Sequence, residues 1–308
     1  MIVISEFMDE AVVADMKQRF EVNYDPTLVD DPARLIKQVS AAKALIVRNR
    51  TQVTADLLDH APALRCIGRL GVGLDNIDME ACQAREISVY PASGANDLSV
   101  AEYVVTTAMM LLRGAYLSAA AMRAGEWPRQ ACAGREIAGK TLGLVGYGAI
   151  ARHTASLARP LGMHIQAYDP FVQPNDEIWG ETSPCTLEEL LATSDVVSLH
   201  TPLTAQTRHL INADRLAGMK AGAVLINAAR GGVVDEAALA AALRNGPIGA
   251  AALDVFEDEP LSATGAAKFD GLSNILLTPH IAGVTEESNV RVSQLISDLV
   301  SRHLTELD

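Results

Sequence analysis

The feature that most constrains the fold is a strand–turn–helix pattern at residues 140–158 of the 308-residue chain. An apolar run over 142–145 predicts a buried strand, and the motif Gly146-x-Gly148-x-x-Ala151 follows it directly. The first glycine permits a tight turn, and the second lets a pyrophosphate approach the backbone. The helix that follows directs its unpaired N–H groups and the positive end of its dipole toward that place. The pattern therefore predicts a dinucleotide-binding unit.

An acidic residue after the next strand indicates which dinucleotide binds. Residues 164–168 predict that strand, and Asp169 ends it, 21 residues after Gly148. An acid at this place binds the ribose hydroxyls of NAD. No Lys or Arg follows Asp169 directly, which favours NAD over NADP. The cofactor contacts predicted in this stretch are those of Gly146, Gly148, Ala149, Ile150 and Asp169.

Composition and charge exclude several other classes of function. Hydrophobic residues make up 49% of the chain, which is typical of a globular protein. No apolar run reaches membrane-spanning length, and the N-terminus does not resemble a secretion signal, so a cytoplasmic protein is expected. The formal charge of −13 argues against nucleic acid or an anionic membrane as a partner. The four cysteines form no metal-type pair, and no metal site is predicted.

The order of patterns along the chain predicts an α/β protein with parallel sheets and two lobes. Strand and helix patterns alternate through the first hundred residues and again after residue 140. A chain of this length is long enough for two domains. Two similar α/β halves suggest two lobes with a cleft between them. Residues 98–124 are apolar nearly all round, which predicts one long buried helix.

The polar residues that follow the predicted strands indicate where chemistry is expected. Ligands of an open parallel sheet lie at the carboxyl ends of its strands. The residues that follow the strands include Arg230, then Asp254 with Glu257 and Glu259 just beyond it, and His280, so that a guanidinium, a carboxylate and an imidazole lie near these ends. Arginine binds a planar carboxylate in a bidentate manner, and histidine transfers protons near neutral pH. A carboxylate beside the histidine favours the protonated ring.

Six stretches together resemble the D-isomer-specific 2-hydroxyacid dehydrogenase family, and the resemblance covers essentially the whole chain. They are Gly71-Val-Gly73, Asn96 to Glu102, Gly146 to Ala151, Asn227 to Gly231, Asp254 to Pro260, and Thr278 to Gly283. The resemblance implies two Rossmann- or flavodoxin-like lobes with the active site between them, and a homodimer. The expected substrate-binding domain is 1–97 plus 284–308, and the expected NAD-binding domain is 98–283.

The resemblance also implies roles for individual residues. Arg230 binds the substrate carboxylate and the C2 oxygen, His280 is the acid/base, and Glu259 pairs with His280. The residues expected along the cofactor are Thr201, Ala228 and Asp254, with Asp254 at the nicotinamide carboxamide. The residues expected at the substrate are Val72 and Gly73, whose backbone N–H groups hold its carboxylate, and Asn96, which orders the loop near the cofactor.

Two departures from the family pattern are visible in the sequence. Ala149 stands where the family often has arginine, so a side-chain contact to the pyrophosphate is expected to be missing. The pair Ala228-Ala229 stands where serine or threonine is more usual, which removes one polar contact.

The substrate predicted from the resemblance is a small anionic 2-hydroxy or 2-oxo acid. Arg48 and Arg50 follow a predicted strand and could bind a second anionic group, although a solvated surface pair is the plain alternative. The stretch from Val47 to Thr54 resembles 3-phosphoglycerate dehydrogenases. A three-carbon acid such as 3-sulfolactate or 3-phosphoglycerate is therefore expected. The alternatives are a glyoxylate or hydroxypyruvate reductase, or an NAD(H)-sensing corepressor that functions by binding protein.

Overall fold

The computed structural model describes residues 1–307, and the chain divides into two compact units. The first unit comprises Met1–Asn96 and Val284–Asp308, and the second comprises Asp97–Gly283. Each unit contains one fully parallel sheet with helices on its faces, so the predicted α/β class with two parallel sheets is confirmed. Within residues 1–307, no helix combines the length and the apolar character needed to cross a bilayer.

The first unit is built on a five-stranded sheet. Its strands are β1 (Ile2–Ile4), β2 (Val22–Tyr24), β3 (Ala44–Val47), β4 (Cys66–Arg69) and β5 (Ser88–Pro91). Its first helices are α1 (Glu10–Arg19), α2 (Pro32–Val39), α3 (Ala55–Asp59) and α4 (Met79–Ala84). The strand order is β2-β1-β3-β4-β5. Since β3 lies between β1 and β4 and all three run parallel, the loops that follow these strands leave the same edge of the sheet.

The second unit is built on a seven-stranded sheet in the order β12-β11-β10-β9-β6-β7-β8. Its strands are β6 (Thr141–Val145), β7 (His164–Tyr168), β8 (Ser183–Pro184), β9 (Val196–Leu199), β10 (Val224–Asn227), β11 (Ala250–Leu253) and β12 (Ile275–Leu277). Its helices are α5 (Asp97–Arg113), α6 (Ala119–Arg123), α7 (Ala149–Ala158), α8 (Leu187–Thr193), α9 (Ala213–Ala217), α10 (Glu236–Asn245) and α11 (Ala263–Ala266).

The last helix returns to the first unit. Helix α12 (Glu286–Leu307) packs against β4 and β5. Ile296 and Val300 of this helix are completely buried in a core that they share with Ile2, Ile4 and Ile46 of the sheet. Burial of these apolar side chains is the main favourable contribution to the packing of α12 on the sheet.

The prediction of one long helix over 98–124 is wrong. Helix α5 ends at Arg113, because Gly114 adopts the left-handed conformation with φ 64° and terminates the helix. A short 3-10 turn (Ala115–Ser118) and the five-residue α6 follow, and α6 buries no residue. Helix α5 is therefore part of the buried core of the second unit, whereas α6 is not.

Candidate active site

Three polar residues predicted to act in catalysis lie after adjacent strands of the second unit. Arg230 follows β10, Glu259 follows β11, and His280 follows β12. These strands are neighbours in the parallel sheet, so their following loops leave the same edge.

His280 lies in a turn that Asp254 anchors from the end of β11. The N–H of His280 donates to the carbonyl oxygen of Asp254 at 2.8 Å. The carboxylate of Asp254 accepts the N–H groups of Ile281 and Ala282 at 2.9 and 2.8 Å. It also accepts the hydroxyl of Thr278 at 2.6 Å. Asp254 is 1% exposed, so its carboxylate anchors the turn in addition to any contact with a cofactor.

Glu259 forms the predicted pair with His280. Its Oε2 lies 2.7 Å from Nδ1 of His280, and its Oε1 accepts the N–H of Phe256 at 2.9 Å. Burial alone would raise the pKa of Glu259. The hydrogen bonds from His280 and Phe256 and the charges of His280 and Arg230 outweigh burial, so the pKa lies below its usual value.

The protonation of this pair follows from its geometry. An ionised Glu259 is an acceptor, so Nδ1 of His280 donates to it and Nε2 is left for a ligand. The side chain of His280 is 40% exposed, so a small molecule can reach the ring. The arrangement can exchange a proton at Nε2 and stabilise the imidazolium that results.

The loop of Arg230 is shaped by Asn227 at the end of β10. The side chain of Asn227 accepts the N–H of Ala229 at 3.1 Å and donates to the carbonyl oxygen of Arg230 at 2.9 Å. Gly231 lies so close to Phe256 that an added Cβ would come within 1.6 Å of the Phe256 carbonyl oxygen. Glycine is therefore required for the Arg230 loop to pack against the segment that carries Glu259.

The glycine turn has the geometry that a dinucleotide requires. Gly146 has φ 89°, and a Cβ there would come within 2.6 Å of the carbonyl oxygen of His200. A Cβ on Gly148 would meet nothing within 4 Å, so the space above this residue is open to a ligand. Helix α7 begins at Ala149, and no side chain in the described part of the chain caps it. The first N–H groups of α7, including that of Ile150, are thus available to an anion.

The acid expected at the ribose lies beside this turn. Asp169 Oδ2 accepts the N–H of Tyr147 at 2.9 Å, and Oδ1 accepts the N–H of Phe171 at 2.9 Å. Two carboxylate oxygens have about four acceptor positions, so capacity for two ribose hydroxyls remains. The residues of this region fit NAD.

The other residues predicted along the cofactor follow β9 and β10. Thr201 follows β9, and its hydroxyl oxygen is buried without a hydrogen-bond partner among residues 1–307, as expected where a polar ligand is to be accommodated. Ala228 is half-buried directly after β10. His200 also follows β9 and is half-buried. Burial lowers the pKa of its imidazole to about 4.

Sequence reasoning missed Arg152. Its Nη1 donates to the carbonyl oxygen of Tyr147 at 3.1 Å, so its guanidinium lies at the glycine turn. Side chains of an α-helix lean toward the helix N-terminus, which brings a residue in the first turn back toward the phosphate-binding end. The signal in the sequence was an arginine three residues after Ala149, the position where an arginine was expected and not found.

In the first unit, Glu6 and Asn76 fix the loop that carries Arg48 and Arg50. Glu6, which is 5% exposed, accepts the N–H groups of Arg48, Arg50 and Thr51 at 2.8, 3.1 and 2.9 Å. The side chain of Asn76 donates to the carbonyl oxygen of Thr51 at 2.7 Å. The backbone of this loop is therefore held by buried side chains from two other segments.

The two arginine side chains of this loop have different surroundings. Arg48 donates from Nη2 to Asn289 Oδ1 at 2.9 Å, and its guanidinium lies 5.9 Å from the ring centroid of Phe7. Burial holds the pKa of Arg48 below its usual value, opposed by the charge of Glu6. Arg50 is exposed and forms an ion pair with Asp30. Arg48 is held in place by a neutral amide, whereas Arg50 is engaged with a carboxylate.

The remaining substrate candidates lie at the end of β4 and before α5. Val72 and Gly73 follow β4, and Val72 is 38% exposed. Asn96 immediately precedes α5, and its Oδ1 is buried without a hydrogen-bond partner among residues 1–307. Arg69, the last residue of β4, lies against Gly71, where a Cβ would come within 1.5 Å of its Nη1. Arg69 thus adds a cation beside the loop of Val72 and Gly73.

Comparison with known proteins agrees with this geometry. A family model described as D-isomer specific 2-hydroxyacid dehydrogenase, NAD binding domain, matches residues 105–282. An (S)-sulfolactate dehydrogenase from Chromohalobacter salexigens is 55% identical over 98% of each chain. A D-3-phosphoglycerate dehydrogenase from Methanocaldococcus jannaschii is 36% identical over 98% of this chain, which spans 57% of that relative.

A solved structure extends the likeness to the fold of the whole chain. The structure of D-lactate dehydrogenase from Aquifex aeolicus, complexed with NAD and lactic acid, matches with a TM-score of 0.85 and 27% identity. The match covers 99% of this chain and 96% of that one.

Proposed function

This chain belongs to the D-isomer specific 2-hydroxyacid dehydrogenase family, and from that premise we propose that it interconverts (S)-3-sulfolactate and 3-sulfopyruvate with NAD. It is an NAD-dependent oxidoreductase of a 2-hydroxy acid. The observation that carries the choice of substrate is the similarity to the Chromohalobacter (S)-sulfolactate dehydrogenase, which extends over the residues of both units.

The proposed proton transfer uses the pair of His280 and Glu259. In the direction of oxidation, Nε2 of His280 removes the proton from the substrate hydroxyl. NAD, when bound, accepts the hydride that leaves C2 of the substrate. The carboxylate of Glu259, 2.7 Å from Nδ1, stabilises the imidazolium that forms. The products are the 2-oxo acid, NADH and one proton, and the reverse reaction uses the same groups.

The substrate carboxylate is assigned to Arg230 and to the backbone N–H groups of Val72 and Gly73. The planar guanidinium of Arg230 binds the carboxylate and polarises the C2 oxygen. Asn96 is proposed to order the loop near the cofactor. These roles are supported by the position of Arg230 beside Glu259, whose pKa is lowered in part by the charge of Arg230.

The cofactor is assigned to the carboxyl edge of the second sheet. The N–H groups of Ala149 and Ile150 bind the pyrophosphate, with Gly146 and Gly148 shaping the turn. Asp169 binds the ribose hydroxyls. The residues that line the remaining part of the cofactor are Thr201, Ala228 and Asp254, with Asp254 at the nicotinamide carboxamide.

The second anion of the substrate is assigned to Arg48. Its guanidinium is partly buried and is fixed by Asn289, and a buried cation binds an anionic group more strongly than a solvated one. A part for Arg50 is also proposed, with a smaller contribution, because this residue is exposed and paired with Asp30.

Stereochemistry is consistent with this substrate. The sulfur on C3 outranks the carboxylate in naming priority, so the S label of sulfolactate describes the same spatial arrangement as a D-2-hydroxy acid. A site that accepts D-configured acids therefore accepts (S)-3-sulfolactate without a change in the positions of Arg230 and His280.

The protein is proposed to act in the cytoplasm as a homodimer. The stretch after α5 supports the dimer, because Tyr116 and Trp127 are 67% and 77% exposed and α6 buries no residue within the chain. Aromatic side chains are enriched at protein–protein interfaces relative to the rest of the surface. A second copy of this chain is the proposed partner of that surface.

D-3-Phosphoglycerate is the second candidate substrate. The relative from Methanocaldococcus is named as a dehydrogenase of this compound. Like 3-sulfolactate, D-3-phosphoglycerate is a 2-hydroxy acid with an anionic group on C3. The tetrahedral anion on C3 is larger and more charged in the phosphate ester, so the two compounds differ chiefly at the group assigned to Arg48.

The test compares NAD reduction by racemic sulfolactate, D-3-phosphoglycerate and D-lactate at equal concentrations. The proposal expects the fastest turnover with sulfolactate. Preference for phosphoglycerate would retain the chemistry and overturn the substrate, and preference for D-lactate would remove Arg48 from the substrate site. No turnover with any of them, or with their oxo acids and NADH, would overturn the proposed function.

A further inference from the structure

The turn that carries His280 adopts an uncommon backbone conformation, which contacts from other segments must stabilise. His280 has φ 56°, which is uncommon for a residue with a side chain. Such conformations persist where the surrounding structure determines them, and they concentrate at functional sites. Four hydrogen bonds from the 278–282 turn end on Asp254, one at its carbonyl oxygen and three at its carboxylate.

One side chain from another element joins this network. Tyr103 lies on α5, and its hydroxyl oxygen is 2.7 Å from the hydroxyl oxygen of Thr278. The threonine proton is donated to the carboxylate of Asp254 at 2.6 Å. Because a hydroxyl has a single proton, Tyr103 must be the donor in its bond to Thr278.

The state of the Tyr103 hydroxyl agrees with this direction. Burial is the largest influence on its pKa and raises it. The hydrogen bonds with Thr278 and Thr107 lower the pKa and the charge of Asp254 raises it, so the pKa lies above its usual value and the hydroxyl remains protonated at neutral pH. The three side chains form a directed chain of hydrogen bonds from α5 through Thr278 to Asp254. Linked hydrogen bonds of this kind strengthen one another where water is excluded.

We propose that Tyr103 is a positioning residue for His280. Because Tyr103 donates to the hydroxyl oxygen of Thr278, the proton of Thr278 is donated to Asp254. These two hydrogen bonds keep the 278–282 turn in the conformation that places the imidazole beside Glu259. Tyr103 touches neither substrate nor cofactor in this proposal. The inference rests on the proposed catalytic role of His280, but it does not depend on which 2-hydroxy acid is the substrate.

The plain alternative is that Tyr103 only fills space in the second unit. A Tyr103→Phe variant separates the two, because it keeps the ring and removes only the hydroxyl. Positioning predicts that kcat falls roughly fivefold, the effect expected for one neutral hydrogen bond, while KM for the acid and Kd for NADH stay unchanged. A space-filling role predicts no change in kcat.

Tyr24→Phe is a matched control for the loss of a tyrosine hydroxyl. The Tyr24 hydroxyl donates to the carbonyl oxygen of Met8 at 3.2 Å, in the first unit. This variant should leave kcat at the wild-type value. If both variants lowered kcat equally, the effect would reflect general loss of stability, and the proposal would be overturned.

A double-mutant cycle tests whether Tyr103 acts through Thr278. In a Thr278→Val background the relay is already broken, so Tyr103→Phe should have no further effect on kcat. In a Thr278→Ser background, which restores the hydroxyl, the effect of Tyr103→Phe should return. A full, additive loss in the valine background would overturn the relay.

A second background keeps the test decisive if the valine variant does not fold. In a His280→Ala background the imidazole to be positioned is missing, so Tyr103→Phe should leave the residual rate unchanged. A further fall in that rate would overturn the proposal.

The wild-type enzyme distinguishes failure of this inference from failure of the proposed function. Turnover by the wild type with an unaffected Tyr103→Phe variant would sink this inference alone, whereas no turnover by the wild type would sink the proposed function on which it rests.

Discussion

Replacing Arg48 by alanine should weaken binding of the second anion while sparing the chemistry. The guanidinium of Arg48 is partly buried, and Asn289 and the ring of Phe7 hold it. A hydrogen bond to a charged group contributes about 1.5–3 kcal/mol. That range corresponds to a rise of roughly 10- to 150-fold in KM for sulfolactate. KM for D-lactate, which has no second anion, should stay near its wild-type value.

Arg50→Ala provides the matched control from the same loop. Arg50 is exposed and paired with Asp30, so its removal should change KM for sulfolactate much less than the removal of Arg48 does. Arg48→Lys keeps the positive charge but loses the planar guanidinium. Its KM for sulfolactate should lie between that of the wild type and that of Arg48→Ala.

The assay is initial-rate kinetics of NAD reduction at saturating NAD, with sulfolactate and D-lactate for each variant. Equal losses on both acids would show that Arg48 supports the fold of the first unit and does not bind an anion. A larger effect from Arg50 than from Arg48 would refute the reasoning from burial and pairing.

Three further variants test the second unit. His280→Ala should lose most of kcat yet bind NADH with unchanged Kd, measured by quenching of cofactor fluorescence, and an unchanged kcat would remove His280 from the mechanism. The folded-state pKa of Glu259 is lowered, so its stabilising contribution is present above its usual pKa of 4.5 and is lost as the pH falls through the folded value. Thermal unfolding should therefore show Glu259→Gln to be less stable than the wild type near neutrality, with the difference shrinking in acid; a difference independent of pH would contradict the depressed pKa. Arg152→Ala should raise Kd for NADH, because the chain has Ala149 where an arginine would otherwise lie at the pyrophosphate, whereas an unchanged Kd would confine Arg152 to its bond with Tyr147.

The sequence was informative where a local pattern carries its own physical requirement. The glycine turn at Gly146 and Gly148 requires a strand before it and a helix after it, and both are present as β6 and α7. The family resemblance and the NAD cofactor predicted from the motifs are confirmed by the family model and by the similarity to the sulfolactate dehydrogenase. The pairing of His280 with Glu259, implied by that resemblance, appears as a 2.7 Å contact.

The sequence was less informative where a feature depends on contacts between distant residues. The helix that was expected to continue to Ala124 ends at Arg113, because the conformation of Gly114 ends it before its apolar pattern stops. Strand β2 and helix α2 were not predicted, since both are short and bury few side chains. A strand of three residues such as β2 is too short to show a hydrophobic period in the sequence.

The side chains that support the site were also invisible in the sequence. Glu6 lies 42 residues before Arg48, yet its carboxylate holds the Arg48 loop. Tyr103 lies 175 residues before Thr278, and nothing in the local pattern of α5 distinguishes it from a core residue. The motifs predicted which residues meet a ligand, whereas only the folded chain identifies the residues that orient them.

The most direct test of the account is the kcat/KM for NAD reduction with the separate enantiomers of 3-sulfolactate, measured beside D-3-phosphoglycerate. The account predicts the highest value for (S)-3-sulfolactate and little or no reaction with the R enantiomer. A higher value for the R enantiomer or for D-3-phosphoglycerate would contradict the substrate proposed for this enzyme.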